Sequence, residues 1–107
     1  MYISKHPEFR DIRTVVKNKE TWFVAQDVCD VLGIQNGRRV AKILDDDESD
    51  VTKIYIMSKN GVNQQREVVV VNESGLYTLI MRSNKPEAKR FRRWVTSEVL
   101  PDIRRKG

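Results

Sequence analysis

Hydrophobic and polar residues change their spacing along the chain, and each change predicts a different element. Residues 8–16 and 21–25 are rich in β-branched and aromatic residues, and the polar segment between them predicts the turn of a β-hairpin. From Val24 the apolar residues recur at helical spacing as far as Leu32, and Gly33 follows as a helix stop. The chain is therefore expected to begin with a hairpin that leads directly into a helix.

A second short helix is predicted for residues 37–44, with Asn36 as its N-terminal cap. Its inner face consists of three aliphatic residues, Val40, Ile43 and Leu44. Two short helices joined by a tight turn that contains glycine form a helix-turn-helix unit, and residues 25–44 fit this description. An ordinary helical hairpin with a solvated basic face fits the same residues equally well.

The middle of the chain predicts a longer hairpin. Residues 51–57 and 65–71 are rich in β-formers, and the Asn60-Gly61 dipeptide between them is a strong hairpin signal. This hairpin is interpreted either as a wing beside the helix-turn-helix unit or, as we favour from the sequence, as a completion of the sheet. The residues near its tip or edges are polar or basic: Lys59, Asn60, Gln64 and Arg66.

Two more helices are predicted beyond this hairpin. Asn72 caps a helix of residues 73–82, in which Tyr77 and Met81 widen an apolar stripe. Pro86 opens a fourth helix that runs to about residue 99, and the next proline breaks or kinks the chain. The predicted fold is a small single α+β domain with two β-hairpins and four or five helices, including the helix-turn-helix pair.

Positive charge is concentrated in the last quarter of the chain. Of the net charge of +5, residues 1–81 contribute −1 and residues 82–107 contribute +6. Most of this excess lies on one side of the fourth helix, opposite an apolar side that contains Phe91 and Trp94. Segregated positive charge is typical of a protein that binds a polyanion, and also of a merely solvated helix.

The candidate DNA-binding residues form two groups with different roles. The residues predicted to reach base edges lie on and before the second helix: Gln35, Asn36, Arg38, Arg39 and Lys42. The residues predicted to contact phosphates lie on and before the fourth helix: Lys85, Lys89, Arg92 and Arg93. For both groups the alternative is an ordinary solvated surface.

Enzymatic, metal-binding and membrane functions find little support in the sequence. The single histidine, His6, lies in a segment expected to be frayed, and the single cysteine, Cys29, lies on the inner face of the first helix. The acidic run of residues 45–50 lacks the spacing of a calcium loop and is interpreted as a solvated loop. We therefore expect no enzyme activity, no metal and no cofactor. The lack of a signal peptide or of an apolar run of about 20 residues indicates a cytoplasmic protein without a membrane partner.

Three motifs, in order along the chain, carry a resemblance to a known family. They are W-F-V-A-Q-D-V with the following L-G at residues 22–33, N-E-S-G-L-Y-T-L-I-M-R-S at residues 72–83, and K-P-E-A-K-R-F with W-V-T-S-E-V-L-P at residues 85–101. Together they resemble the Bro-N domain of Bro and antirepressor-like proteins from phages, prophages and large DNA viruses. The resemblance spans nearly all of residues 1–107. It implies a DNA-binding domain of a transcription regulator, often accompanied by a second domain, and it assigns no base-contacting residue.

Two functions from different classes stay open at this point. The first is binding to double-stranded DNA as part of a phage transcription regulator. The second is an antirepressor that binds a repressor protein directly, without contact to DNA. Salt dependence separates the two, because phosphate contacts weaken steeply with added salt whereas an apolar protein interface changes little. The sequence leaves open whether the chain forms a homodimer.

Overall fold

A computed structural model describes residues 1–34, 40 and 42–106 of the chain. These residues form one antiparallel sheet with the strand order β1-β2-β3-β5-β4. The strands are β1 (Tyr2–Ser4), β2 (Ile12–Lys17), β3 (Glu20–Val24), β4 (Ser49–Met57) and β5 (Asn63–Val71). The helices are α1 (Ala25–Leu32), α2 (Glu73–Arg82), α3 (Glu87–Trp94) and α4 (Leu100–Lys106), and a π-helical turn (Val95–Val99) joins the last two. The α+β class and both predicted hairpins are confirmed.

The N-terminal segment is part of the sheet, and the expectation of a frayed terminus was wrong. β1 pairs with β2 through Tyr2 opposite Thr14 and Ser4 opposite Ile12. β2 itself begins later than the predicted strand of residues 8–16, because the preceding residues pack against a helix instead. A three-residue strand is too short to show an alternating pattern, so β1 could not be predicted.

The first helix ends where the sequence predicts. Gly33 has a φ of 69°, in the left-handed region that favours glycine, and its N–H donates to the Cys29 carbonyl. The Lys85 side chain lies directly over this glycine, since a Cβ atom placed there would meet Lys85 Cε. Gly33 is therefore required by the left-handed turn, whereas the flexible Lys85 side chain could move aside for a larger residue.

The predicted helix-turn-helix pair lies partly outside the described residues and stays a prediction. Val40 and Lys42 are helical, and the Leu44 N–H donates to the Val40 carbonyl at 3.1 Å. Val40 and Leu44 are buried as predicted, but Ile43 is 37% exposed, so its assignment to the inner face was wrong. Among the described residues there are three helices, counting Glu87 to Lys106 as one, so the predicted four or five are not confirmed.

The last helix passes through Pro101 without a break, so the first of the two predicted outcomes there, a break or a kink, was wrong. Pro101 has no N–H, and in an α-helix its ring clashes with the carbonyl four residues earlier. Here the preceding turn is widened, and the Leu100 N–H donates to Val95, five residues back. This wider spacing gives the ring room, so the helix continues to Lys106.

The main core lies between the helices and one face of the sheet. Its largest fully buried side chains include Phe23 of β3, Leu76 and Leu79 of α2, and Phe91 of α3. Met81 was predicted to widen the apolar stripe of α2, but it is 85% exposed because it lies on the opposite side of the helix from Leu76. No helix within residues 1–34, 40 and 42–106 is both long and apolar enough to cross a bilayer.

Glu48, in the segment interpreted as a solvated loop, is instead buried and fastens that segment to α2. Its carboxylate accepts hydrogen bonds from the Asp45 N–H at 3.0 Å, the Ser74 hydroxyl at 2.7 Å and the Thr78 hydroxyl at 3.3 Å. Its carbonyl also accepts from the Asn72 N–H at 3.1 Å. The solvated-loop interpretation holds for residues 45–47, which are exposed.

These contacts predict a specific loss of stability in acid. The hydrogen bond from Asp45, helped by those from Ser74 and Thr78 and opposed by burial, lowers the pKa of Glu48 below its ordinary 4.5. The stability that Glu48 contributes is therefore present above pH 4.5 and is lost as the pH falls through the lower folded-state value. We expect the melting temperature of Glu48→Gln to fall less steeply than that of wild type below pH 4.5. Exposed Asp46→Asn is the control, and equal slopes for all three proteins would contradict the assignment.

Candidate nucleic-acid interface

Helix α3 is held on the domain by large aromatic side chains. Phe91 is fully buried and Trp94 is 7% exposed, and both belong to the main core with Leu76 and Leu79 of α2. The predicted burial of these two aromatic residues is confirmed. Each such side chain contributes roughly 1.5–3 kcal/mol relative to exposure, so the helix and its outer face are held in one orientation.

The N-terminal segment covers one flank of α3. The Phe9 ring lies 5.5 Å from Phe91 and 5.8 Å from Trp94, and the His6 ring lies 5.1 Å from Trp94. Beside these rings the Arg90 Nε donates to the Glu8 carboxylate at 2.7 Å, which lowers the pKa of Glu8. Arg90 is thereby neutralised within the domain.

The outer face of α3 carries cations that remain unneutralised. Lys89, Arg92 and Arg93 are exposed, and none forms an ion pair with any residue that the structure describes. Lys89 and Arg93 are one helical turn apart, about 6 Å along the axis, and point away from Phe91. The structure thus divides the predicted cations of α3 into one that is paired within the domain, Arg90, and three that form no ion pair with a described residue.

A groove runs between the outer faces of α2 and α3. Its volume is about 430 Å³. It is lined by Tyr77, Ile80, Met81, Arg92, Arg93 and Thr96. The Tyr77 hydroxyl donates to Glu73 at 3.2 Å, and burial, with the charge of Glu73, raises the pKa of Tyr77. The groove therefore combines an apolar floor with a cationic rim.

Lys85 occupies a different position from the three cations of α3. Its stem packs over Gly33 at the C-terminal end of α1, where a positive charge interacts favourably with the helix dipole. Nearby the Ser83 hydroxyl donates to the Leu32 carbonyl at 2.9 Å. Lys85 is exposed, so it can contact an anion, but it also has this structural role.

Of the residues predicted to reach base edges, the structure describes one. Lys42 is exposed, between buried Val40 and Leu44, as the helical projection predicts. The other four lie outside the described residues: Gln35, Asn36, Arg38 and Arg39. Their roles therefore stay predictions, and nothing places them beside the cations of α3.

Groups that could support other chemistry are inaccessible or isolated. Burial, helped by the charge of Asp30, raises the pKa of the Cys29 thiol to about 11, so the buried thiol is protonated at neutral pH. Among residues 1–34, 40 and 42–106, no group of three or more His, Cys, Asp or Glu side chains could hold a metal ion.

Comparison with known proteins identifies the family of this chain. The sequence model of the BRO family N-terminal domain (Bro-N) matches residues 11–101. The chain belongs to the Bro-N family. A Haemophilus influenzae protein without an assigned function is 42% identical over 104 residues, which cover 92% of this chain and 49% of the relative. The Bro-N domain-containing protein 289L of Invertebrate iridescent virus 6 is 33% identical over 100 residues, which cover 80% of this chain and 24% of the viral protein.

This Bro-N chain therefore spans about half the length of the bacterial relative and about a quarter of the viral one. Another Bro-N domain-containing protein, 019R of Invertebrate iridescent virus 3, is 27% identical over 106 residues. No solved structure matches the chain.

The central motif of this Bro-N chain is structural. The Asn72 side chain accepts from the Gly75 N–H at 2.9 Å and so caps α2, as predicted. A Cβ atom at Gly75 would lie 2.7 Å from the Glu48 carbonyl oxygen, so glycine is required for the close contact. Asn72 and Gly75 of this motif thus hold the segment before β4 against α2.

Proposed function

We propose that this Bro-N domain is the DNA-binding module of a phage- or virus-type transcription regulator, and that the outer face of α3 contacts the phosphate backbone. The observation that carries the proposal is the set of three exposed cations, Lys89, Arg92 and Arg93, which lie on a docked helix and form no ion pair with the described residues. The backbone of a docked helix is already ordered, so binding costs side-chain entropy but little backbone entropy, which favours such a helix over a mobile basic tail.

The internal neutralisation of Arg90 supports the same orientation. Glu8 cancels the charge on the flank that faces the N-terminal segment, and the uncancelled charges lie on the opposite flank and outer face. The positive electrostatic potential of α3 is therefore strongest on the side that faces away from the domain, where a polyanion has access. Lys85 extends this potential toward the end of α1.

Base recognition is assigned to a separate element in this proposal. Phosphate contacts set affinity and salt dependence but carry little sequence information. We infer that sequence preference comes in part from the residues before and on the predicted second helix: Gln35, Asn36, Arg38, Arg39 and Lys42. The proposed function requires no catalytic group and no cofactor.

The proposal predicts a change in the salt dependence of DNA binding. We expect Lys89→Gln and Arg93→Gln each to weaken binding about equally on any duplex and to reduce the slope of log K against log salt by roughly one. The measurement is fluorescence anisotropy with labelled 20-base-pair duplexes of two unrelated sequences at several salt concentrations. Arg90→Gln is the matched control, because it removes the same charge from the same helix at a position that Glu8 already neutralises.

The groove between α2 and α3 supports the alternative function, an antirepressor that binds a repressor protein. Met81 is 85% exposed beside Tyr77 and Ile80, and such an apolar surface is typical of a protein interface.

If Lys89→Gln and Arg93→Gln bind both duplexes as wild type does, the DNA-binding proposal is wrong. Binding to a repressor that is insensitive to salt but lost in Met81→Asp would then support the antirepressor.

A further inference from the structure

The hairpin of β4 and β5 projects beyond the sheet as a two-stranded arm. β4 and β5 form nine residue pairs, from Ser49 opposite Val71 to Met57 opposite Asn63. Only Val70 and Val71 of β5 also pair with β3. The other seven pairs therefore lie beyond β3, and the hairpin completes the sheet only at its root. Val68 and Val69 still pack against the domain, so the projecting part consists of the five pairs from Lys53 opposite Glu67 to Met57 opposite Asn63. Four steps of about 3.3 Å make this part about 13 Å long.

One face of this arm is exposed on both strands. Side chains alternate along a strand, and paired residues share a face. Val69 and Val71 of β5 pack against the main core. The same face of the hairpin continues along both strands toward the turn, beyond the core. It carries Lys53, Tyr55 and Met57 on β4 and Asn63, Gln65 and Glu67 on β5, all exposed. Tyr55 is 65% exposed although its ring is large and apolar.

The arm has the composition of an element that meets nucleic acid. Residues 53–67 contain three cations and four side-chain amides but a single acidic residue, Glu67, which lies opposite Lys53. Lys53, Lys59 and Arg66 form no ion pair with a residue that the structure describes. In contrast, the cations Lys17 and Arg13, which lie on β2 of the same sheet, are both paired with aspartates. The arm therefore carries a net positive charge, and its cations form no ion pair with a described residue.

We propose that the arm enters a groove of duplex DNA and reads base edges with the face that carries Lys53, Asn63 and Gln65. The major groove, about 12 Å wide, admits a two-stranded ribbon, and asparagine and glutamine pair with adenine in it while lysine pairs with guanine. This inference rests on the proposed function and adds a second base-reading element to it. Tyr55, opposite Gln65 in the register, supplies a flat ring for contact with thymine methyl groups or sugars.

A second copy of the chain is the competing occupant, because β4 is an edge strand of the described sheet. Two arms of like charge repel each other, whereas DNA complements their charge. The positive charge of the arm therefore favours DNA over a second copy of the chain.

Two neighbouring glutamines provide the matched test. Gln65 and Gln64 are both exposed, but successive strand residues lie on opposite faces, so Gln65 lies on the proposed reading face and Gln64 does not. A preferred 20-base-pair duplex is first selected from a random pool with the wild-type domain. We expect Gln65→Ala to weaken binding to the selected duplex about 10-fold and to leave binding to a scrambled duplex unchanged. Gln64→Ala is expected to match wild type on both, and both variants to melt as wild type does.

The outcomes separate this inference from the proposed function. Equal binding by Gln65→Ala, Gln64→Ala and wild type, with weaker binding by Lys89→Gln, overturns the arm as a reader and leaves phosphate binding by α3 intact. No duplex binding by the wild-type domain overturns both. A dimer of wild type that dissociates in Gln65→Ala, measured by sedimentation, assigns the arm to a second copy and also overturns the inference.

Discussion

Trp94→Ala is expected to lower the free energy of unfolding by roughly 3–5 kcal/mol, the largest effect of any single truncation proposed for this domain. Trp94 is 7% exposed and its ring contacts those of His6, Phe9 and Phe91. Its removal leaves a cavity between α3 and the N-terminal segment and exposes the partners of the lost ring. Domains of this size have only about 5–15 kcal/mol of stability, so the variant is expected to be partly or wholly unfolded at 37 °C.

Urea denaturation followed by circular dichroism measures this loss. Met81→Ala is the control, because Met81 is 85% exposed and its truncation is expected to change stability by less than about 0.5 kcal/mol. A melting temperature of Trp94→Ala within a degree or two of wild type would refute the packing of α3 described above.

Asp27→Ala is expected to cost roughly 2–4 kcal/mol, the second large effect. The Asp27 carboxylate accepts from Arg13 Nε at 2.8 Å, Arg13 Nη2 at 2.9 Å and the Arg13 N–H at 2.9 Å. The hydrogen bond to Asp27 raises the pKa of Arg13, so the variant leaves a charged guanidinium and a backbone N–H without their partner. The lower end of the range reflects the 27% exposure of the Arg13 side chain, which lets water compensate in part.

The nearby Asp30→Ala is the matched control for this variant. Asp30 is one turn along the same helix and exposed, and it approaches Arg10 only at 4.0 Å. We expect Asp30→Ala to change stability by less than about 1 kcal/mol. Similar unfolding curves for the two variants would show that the pair of Arg13 and Asp27 does not fasten β2 to α1.

The elements that the sequence predicts well are those with local signals. The helical spacing that ends at Gly33 and the cap at Asn72 gave the bounds of α1 and α2 closely, because both signals lie within a few residues of the helix that they limit. The Asn60-Gly61 dipeptide likewise gave the turn of the arm, where Gly61 has a φ of 77°. These features depend on residues that are close together in the chain, so they can be predicted from the sequence.

The features that the sequence did not predict depend on distant partners. Glu48 is buried because it meets Ser74 and Thr78, 26 and 30 residues further along the chain, whereas its neighbours in sequence indicate a solvated loop. Likewise, Glu8 neutralises Arg90 across 82 residues. Long-range contacts of this kind leave no periodic pattern, and only the fold shows which cations of α3 remain available.

Among the candidate binding residues, too, some follow from local signals in the sequence and others depend on the fold. The exposure of Lys89, Arg92 and Arg93 follows from the helical period, since each lies away from Phe91. The projection of the arm could not be predicted, because the strand pattern of residues 51–71 is the same whether a third strand covers it or not. The lack of acidic residues from 51 to 66 is the one sequence signal that could have indicated it.

If α3 contacts DNA as proposed, the widened turn before Pro101 limits the length of duplex that the last helix can follow. An uninterrupted α-helix would place Arg104, eleven residues after Arg93, on nearly the same side of the axis and would extend one basic line over about 16 Å. The extra residue in the turn rotates the following segment by about 100°, and Arg104 meets Glu73 of α2 instead, at 3.4 Å. The cations of α3 therefore form a short basic patch, and under the proposed function a longer DNA site has to be completed by other elements of the domain.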